Sequence, residues 1–317
     1  MLNPRIRNLV IYPVKSCGGV EVERAVLTPS GLVANGHRDH QYMVVSIDPE
    51  FIRVNKKEPN DVYHFLTQRD RRNYSDRPQH FSKMALIRPE FAQSGLSLNL
   101  YGSPIVTVPY HRWGREIPVK IWDDVTTAID QGDDIAMRLH TFLGFPVRLV
   151  KAEGSFRRMA RRTYMPNDNP LGGFQDAYPV HWFTIESVDE LSQRTGQKIP
   201  WQSFRPQVVV QGMAPHGEHK ILSGKFGEVG FVNAKPCVRC TITLVDQETG
   251  EIRRGGEPLR TLGAYKNWKS RKGGRSVIFG EYALPENEGI VSVGDALTVA
   301  SLRDPPLRYG TLEEISA

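Results

Sequence analysis

Two cysteines separated by two residues are the clearest candidates for chemistry in this chain of 317 residues. Cys237 and Cys240 lie on either side of Arg239, whose positive charge would favour an ionised thiol. The β-branched run 241–245 follows directly, so the sequence predicts a strand with the thiols at its start. A thiolate in such a position can exchange disulfides or bind a soft metal.

Four roles are open for this pair. A thioredoxin-type redox pair should begin a helix, because the helix N-terminus helps to lower the thiol pKa, whereas the residues after Cys240 favour a strand. A structural zinc site needs four ligands, and Cys17 with scattered histidines is a poor supplement. Two buried, inert thiols are the ordinary alternative, since free cysteine often packs as a small apolar residue. The fourth role is a single thiolate that binds a soft metal centre.

Two further segments have residues suited to binding an anion. Lys15 and Ser16 follow a proline and precede Gly18 and Gly19, and a cation, a hydroxyl and permissive glycines suit a phosphate-binding loop. An ordinary surface turn would have the same composition. Arg205 precedes a strand-like run, and its planar guanidinium suits a phosphate or a ring carbonyl, although a loop salt bridge is the simpler alternative.

Composition restricts the class of protein. The chain is 39% hydrophobic and 24% charged, which fits a soluble globular protein long enough for two domains. No apolar run approaches the ~18 residues that a membrane span needs, and the first strand-like run leaves no room for a targeting peptide. Three cysteines, an odd number, argue against a disulfide framework and favour a reducing compartment, so we expect a cytoplasmic protein.

The net charge of +6 raises the question of nucleic-acid binding. Basic residues cluster at 69–77, 148–162 and 266–275, but aromatic residues do not alternate with them as a stacking platform requires. We therefore predict no nucleic-acid partner. The basic clusters would instead be solvated, contact an anionic cofactor or attract an acidic redox partner.

The elements that must position these residues are mostly short strands. Strand patterns separated by turn residues, including one at 84–87, favour a small β-barrel or sandwich in the first half. Residues 48–82 are polar, lack periodicity and are expected to form a long, partly irregular excursion from the barrel. Residues 133–143 form an amphipathic helix that Gly144 ends. A second helix is predicted to start at a capping box, Ser187 to Glu190, in a second half that is again mainly β. The Arg-, Gly- and Pro-rich segment after residue 150 predicts a domain boundary, with domains at 1–153 and 154–317.

Seven segments, in order along nearly the whole chain, carry a family resemblance. The chain resembles the MOSC family (molybdenum cofactor sulfurase C-terminal domain) with its N-terminal β-barrel partner, and among its members the amidoxime-reducing proteins. The matching segments are Tyr12-Pro-Val-Lys-Ser-Cys-Gly-Gly19, Arg38-Asp39, Ser203-Phe-Arg-Pro206, Cys237-Val-Arg-Cys-Thr-Ile-Thr-Leu-Val-Asp246, Gly256-Glu-Pro-Leu-Arg-Thr-Leu262, Phe279-Gly-Glu-Tyr282 and Val293-Gly-Asp295.

The resemblance implies a fold and a cofactor site. The fold would be mainly β with a few helices (α+β), with a small N-terminal β-barrel domain and a C-terminal MOSC β-barrel domain. The cofactor would be the molybdenum cofactor, a molybdopterin, with Cys240 as the metal ligand and catalytic residue and Cys237 as a structural thiol. The residues expected to bind the cofactor are Lys15, Ser16, Arg38, His40, Thr184, Ser187, Arg205, Gln207 and Arg239. Relatives have asparagine at the position of Gln207 and arginine at that of His40, so the contacts of these two residues are less closely specified.

The implied function is a molybdenum-dependent reductase of N-hydroxylated compounds such as amidoximes, hydroxylamines and N-hydroxylated bases. Because the sequence has no flavin or nicotinamide fingerprint and no cysteine after Cys240, we expect a separate electron donor: a cytochrome b5-like protein, a ferredoxin or a flavodoxin. The alternative is a non-enzymatic protein that binds the molybdenum cofactor or carries sulfur on Cys240.

Overall fold

The fold is mainly β with few helices, as the sequence predicts. The computed structural model describes residues 3–46, 62–68, 71–74, 77–111, 114–159, 171–269, 274–304 and 309–310. Within these ranges, no helix has the length and the apolar character that crossing a membrane requires.

The strands are short and the helices few. In chain order the strands are β1 (Arg5–Ile11), β2 (Val20–Val22), β3 (Arg24–Thr28), β4 (Gly31–Ala34), β5 (His37–Arg38), β6 (Tyr42–Ser46), β7 (Tyr63–Phe65), β8 (Arg71–Tyr74), β9 (Arg77–His80), β10 (Ile87–Ala92), β11 (Gly95–Leu100), β12 (Val106–Pro109), β13 (Glu116–Ile121), β14 (Asp124–Asp130), β15 (Arg148–Lys151), β16 (Val180–Thr184), β17 (Val208–Gln211), β18 (Ile221–Phe226), β19 (Val229–Val238), β20 (Asn267–Lys269), β21 (Arg275–Pro285), β22 (Gly289–Ser292), β23 (Leu297–Leu302) and β24 (Tyr309–Gly310). The α-helices are α1 (Asp133–Leu143), α2 (Ile185–Thr195) and α3 (Leu259–Tyr265).

A closed barrel forms in the first half of the chain, in the order β13-β14-β15-β6-β7. The parallel pair β13 and β7 closes it, with Val119 opposite Tyr63. Alternate residues of its strands, among them Met43 and Val45, point into one apolar core. The barrel confirms the small N-terminal β-barrel that the turn-rich sequence predicts.

Helix α1 packs beside this barrel and covers a three-stranded sheet, β10-β11-β12. Ile135, Leu139 and Phe142 are its buried face, as the helical periodicity predicts. Gly144 ends the helix in the left-handed conformation (φ 73°) and donates its N–H to the His140 carbonyl. The predicted helix and its end are therefore confirmed.

A ten-stranded sheet organises the second half, and the N-terminus contributes to it. Its main path is β2-β1-β17-β16-β21-β19-β18-β23, with Arg5 of β1 opposite Gln211 of β17. A smaller sheet joins β22 to β3, β4 and β5. Apolar residues of β1, β3 and β4 thus share a core with Trp182 and Phe231 from the second half. The division into 1–153 and 154–317 stays a prediction, and strand pairing crosses it.

Two local predictions were wrong. Residues 81–86 form a 3₁₀ helix and the strand starts only at Ile87, so the strand predicted at 84–87 is misplaced. The β-branched run after Cys240 is also a 3₁₀ turn, Thr241–Leu244. There the Thr243 hydroxyl donates to the Cys240 carbonyl at 2.9 Å, a local bond that competes with strand formation. In the segment predicted to be partly irregular, 48–82, the described residues include three short strands, β7, β8 and β9.

The predicted capping box does not start α2. The helix begins at Ile185, so Thr184 occupies the N-cap position and its side chain caps no backbone N–H. Ser187 lies inside the first turn, fully buried, and accepts the His216 N–H at 2.8 Å. Tertiary packing thus uses the hydroxyl that the sequence pattern assigned to the helix end.

Candidate functional site

A cleft with an empty volume of about 650 Å³, its open mouth included, lies between the loop after β1 and the end of β19. The structure brings seven of the predicted site residues together in its wall: Lys15, Ser16, His40, Arg205, Gln207, Arg239 and Cys240.

Lys15 reaches the cleft from the loop that follows β1. Its backbone N–H donates to the Tyr42 carbonyl at 2.8 Å, which attaches the loop to the barrel strand β6. The ammonium donates to the Phe174 carbonyl at 3.0 Å and pairs with the Asp176 carboxylate. Burial lowers the pKa of Lys15, whereas the charge of Asp176 raises it. The pairing lets a buried cation persist at the cleft wall.

Arg205, from the second half of the chain, contacts residues of the first half at the cleft. It sits in the left-handed conformation (φ 52°) at the end of the 3₁₀ turn Trp201–Phe204. One guanidinium nitrogen, Nη1, donates to the Cys17 carbonyl at 2.6 Å, and the group lies 4.2 Å from the Tyr12 ring centroid. The other, Nη2, is shielded from solvent and has no hydrogen-bond partner among the described residues. A shielded guanidinium donor without a partner is suited to an anion.

Arg239 links the two cysteines to the cleft wall. Its Nη1 donates to Cys237 Sγ at 2.8 Å and its Nη2 to the Phe204 carbonyl at 2.8 Å. The Nε atom is buried and, within the described ranges, has no partner. The arginine therefore holds Cys237 in place and still has one donor available to a bound group.

The three cysteines have different surroundings. Cys17 is fully buried, and burial raises the pKa of its thiol to about 12. Cys237 is also buried, under Arg239, whereas Cys240 is half-buried and lines the cleft. Of the three, Cys240 is thus the thiol that a group in the cleft can reach.

His40 and Gln207 meet at one buried carboxylate. Asp39 Oδ2 lies 2.5 Å from His40 Nδ1 and accepts from Gln207 Nε2 at 3.1 Å. Gln207 Oε1 accepts the His181 backbone N–H at 2.8 Å. Both ends of the Gln207 amide are thus used within the protein, so its part in the cleft wall is to position its neighbours.

Three predicted residues lie outside the cleft wall. Arg38 is exposed, and its N–H donates to Gln41. Thr184 and Ser187 are fully buried at the start of α2, where their hydroxyls donate to Glu186 and Glu218 respectively. The resemblance places these residues at the cofactor, and this placement stays a prediction.

Sequence reasoning missed several residues that complete the cleft. Gln175, Asp176 and Tyr178 lie in the segment predicted to be a linker, and His181 is the second residue of β16. No periodicity or motif marks these positions. Tyr282 had a signal, because it ends the segment Phe279-Gly-Glu-Tyr282.

Family profiles match both halves of the chain. The profile of the MOSC N-terminal beta barrel domain matches residues 3–146, and that of the MOSC domain matches residues 172–298. The chain belongs to the MOSC family. The second profile includes Cys240, and the first includes Lys15 and Ser16. The cleft is therefore lined by residues from both domains.

Relatives of this MOSC protein carry an amidoxime-reducing name. Mitochondrial amidoxime-reducing component 1 is 28% identical in mouse, over 92% of this chain and 80% of the relative, and 28% identical in human, over 92% and 81%. Mitochondrial amidoxime reducing component 2 from rat is 29% identical, over 90% and 80%. Among solved structures, YiiM from Geobacillus stearothermophilus aligns with a TM-score of 0.29 at 13% identity, over 59% of this chain and 71% of that one, which is too low to support an argument.

The residues of the MOSC cleft fit a molybdopterin. Such a group needs a soft sulfur ligand for the metal and cations or hydroxyls for its phosphate. The cleft wall contains groups of both kinds: the thiol of Cys240, and the cations and hydroxyl of Lys15, Arg205 and Ser16. The shielded Arg205 Nη2 and Arg239 Nε atoms are donors that the described residues leave without partners, as a cleft built for an anionic ligand requires.

Proposed function

We propose that this protein is a molybdenum-cofactor-dependent reductase of N-hydroxylated compounds that takes electrons from a separate protein. The reaction converts an N-hydroxy group to N–H and releases water, consuming two electrons and two protons. The main support for this proposal is that a partly exposed cysteine and buried cations line the same cleft. The names of the relatives supply the substrate class.

In this proposal the protein residues have distinct tasks. When bound, the cofactor supplies the two-electron chemistry at its metal. Cys240 would hold the metal, while Lys15, Ser16 and Arg205 would hold the phosphate. His40, held by Asp39, lies in the cleft wall, where its imidazole would help to position a polar substrate. The walls would restrict water around a polar substrate.

The electron donor would be a cytochrome b5-like protein, a ferredoxin or a flavodoxin. Such donors are usually acidic, and the net charge of +6 on this chain would steer them to it. Raising the ionic strength should therefore slow reduction by the donor but not by a small neutral reductant. The same rate at low and high salt would contradict the steering. The proposal includes a cytoplasmic location and no nucleic-acid partner.

The test uses protein produced in a host that synthesises the molybdenum cofactor. We expect the full chain to contain molybdenum and to reduce benzamidoxime with an artificial reductant, and Cys240→Ala to lose this activity. Cys17→Ala is the matched control, because that thiol is buried and does not line the cleft. Metal content is measured by mass spectrometry and product by chromatography. Equal benzamidoxime reduction by the native protein and Cys240→Ala rejects the assignment.

The non-enzymatic alternative gives a different result in the same experiment. A carrier would contain the cofactor, or a persulfide on Cys240, and would turn over no N-hydroxylated compound with any reductant. Intact-mass measurement detects the added sulfur directly. Turnover by the native protein excludes a purely carrying role.

A further inference from the structure

A second cluster of ligand-type side chains lies away from the cleft. His216, Glu218 and His219 occupy the turn between β17 and β18, and their side chains are 6%, 0% and 1% exposed. One potential ligand atom from each lies within 4.8 Å of the others. None of the three lines the cleft that holds Cys240, so the cluster is separate from the proposed reaction.

The local backbone brings the two histidines to the same side. His216 is in the left-handed conformation (φ 59°) and precedes the 3₁₀ turn Gly217–Lys220. Residues three apart eclipse each other in such a turn. The His216 and His219 rings are accordingly near parallel, with centroids 6.0 Å apart and planes 7° apart.

One histidine is oriented as metal-binding histidines usually are. His219 Nδ1 lies 2.7 Å from the Glu281 carboxylate, which Arg303 holds with a contact of 2.6 Å. A carboxylate at Nδ1 fixes the tautomer in which Nε2 carries the lone pair, the arrangement seen around protein zinc. His219 Nε2 is buried and has no hydrogen-bond partner among the described residues.

The second histidine of the cluster also has unused capacity. In the described part of the chain, neither ring nitrogen of His216 has a hydrogen-bond partner, although Nε2 lies 3.7 Å from the Glu190 carboxylate. The Glu218 carboxylate between them is contacted by the Ser187 hydroxyl at 3.4 Å and by backbone N–H groups. Buried polar atoms without partners are costly, and several around one point indicate a missing ligand.

We infer that His216, Glu218 and His219 form a structural site for a divalent transition-metal ion of the zinc type. Two imidazoles and a carboxylate are ligands that Zn²⁺ accepts, and Glu190 is the side chain best placed to complete the coordination. The burial of all three ligands points to a structural ion and not to a catalytic one with an open position.

The site would join elements that are distant in sequence. Glu281 lies on β21, Ser187 and Glu190 lie on α2, and the ligands themselves lie before β18. An ion there would tie the helix to the ten-stranded sheet. Binding should therefore raise the melting temperature, and the rise should grow with ion concentration.

One neighbouring cation competes with the ion. Lys266 is buried, its Nζ lies 3.5 Å from the Tyr309 ring centroid, and its charge interacts with Glu218. An ammonium and a metal ion would share the same negative charge. Replacing Lys266 by methionine, which keeps the apolar stem, should tighten metal binding. If no ion binds there, the same change would only remove the interaction of the Lys266 charge with Glu218.

The experiment is equilibrium dialysis of the metal-stripped full chain against Zn²⁺, with bound zinc measured by mass spectrometry. We expect one ion per chain in the native protein and in Cys240→Ala, which removes the cleft thiol. His219→Gln should weaken binding by more than roughly 100-fold, and Glu281→Gln by about 10- to 100-fold through its effect on His219. His140→Gln, at an exposed position of α1, is the matched control and should bind as the native protein does.

Each outcome supports or overturns the site. Loss of binding in His219→Gln and tighter binding in Lys266→Met support it. No binding by the native protein, equal binding by His219→Gln, or loss of binding in Cys240→Ala overturns it. Should His219→Gln fail to fold, Glu218→Gln, which is nearly isosteric, is measured in its place. Circular dichroism establishes that each variant is folded before its affinity is compared.

Discussion

The N-terminal strands should be essential for folding of the C-terminal half. Five large apolar side chains from β1, β3 and β4 are at most 1% exposed in the core shared with the second half: Ile6, Leu9, Ile11, Leu27 and Leu32. At about 1.5–3 kcal/mol for each buried side chain, they contribute roughly 8–15 kcal/mol. A domain is stable by only about 5–15 kcal/mol in total. Residues 154–317 expressed alone should therefore not fold.

The assay compares this fragment with the full chain by urea unfolding and by amide hydrogen exchange in β17, the partner of β1. Within the full chain, Leu9→Ala should lower the free energy of unfolding by about 2–5 kcal/mol. Arg7→Ala, at an exposed position of the same strand, is the control and should change it by less than about 0.5 kcal/mol. Cooperative unfolding of the isolated fragment 154–317, with protected amides in β17, would refute this reasoning.

Three further predictions concern the vicinity of the cleft. Gly280→Ala should lower the free energy of unfolding by about 2–5 kcal/mol, because φ is 72° there and a Cβ would lie 2.7 Å from the Trp182 carbonyl oxygen. Gly294→Ala is also at positive φ (92°) but in open space, so it should lower the free energy by only about 1–2 kcal/mol. Urea unfolding measures both changes. Alkylation of the cofactor-free protein at pH 8 should modify Cys240 first and leave Cys17 unmodified until the chain unfolds, since burial raises the pKa of Cys17 to about 12; peptide mapping that finds Cys17 modified first would contradict this. Burial lowers the pKa of His181 from 6.5 to about 3, so between these pH values only the unfolded state is protonated at this residue. The free energy of unfolding should therefore decrease by about 1.4 kcal/mol for each unit by which the pH falls from 6.5 to 3. His181→Gln should reduce the slope of unfolding free energy against pH by that amount.

Much of the fold follows from local patterns. The short strands and their turns predict a barrel, and the closed barrel in the first half confirms it. Helix α1 could be predicted to its last residue, because its apolar face and its terminal glycine agree. These features depend on neighbours in sequence, which is why a single sequence shows them.

One failure comes from local hydrogen bonds, and two come from contacts that are distant in sequence. The run after Cys240 has strand propensity, yet hydroxyl and backbone bonds within the turn hold it as 3₁₀. Ser187 is a residue type typical of helix caps, yet its hydroxyl oxygen accepts the backbone N–H of His216, 29 positions later. Asp176 lies in an unpatterned segment, and only the fold brings it to Lys15, 161 positions away.

The candidate site was predicted by residue type and by resemblance together. The thiol and cation types indicated a soft metal and an anion, and the resemblance joined them at one cofactor. The structure places seven of the ten residues around one cleft. The buried group of His216, Glu218 and His219 had no visible sequence signal beyond two histidines three positions apart.

The pairing of β1 with β17 also sets an order of events during translation. Arg5 is synthesised 206 positions before its partner Gln211. At about 5–20 residues per second, the first strand waits roughly 10–40 s for its place in the sheet. Lys15, on the loop that this strand anchors, cannot meet Cys240 before then. A molecule can therefore bind between Lys15 and Cys240 only after both segments have been synthesised and β1 has paired with β17.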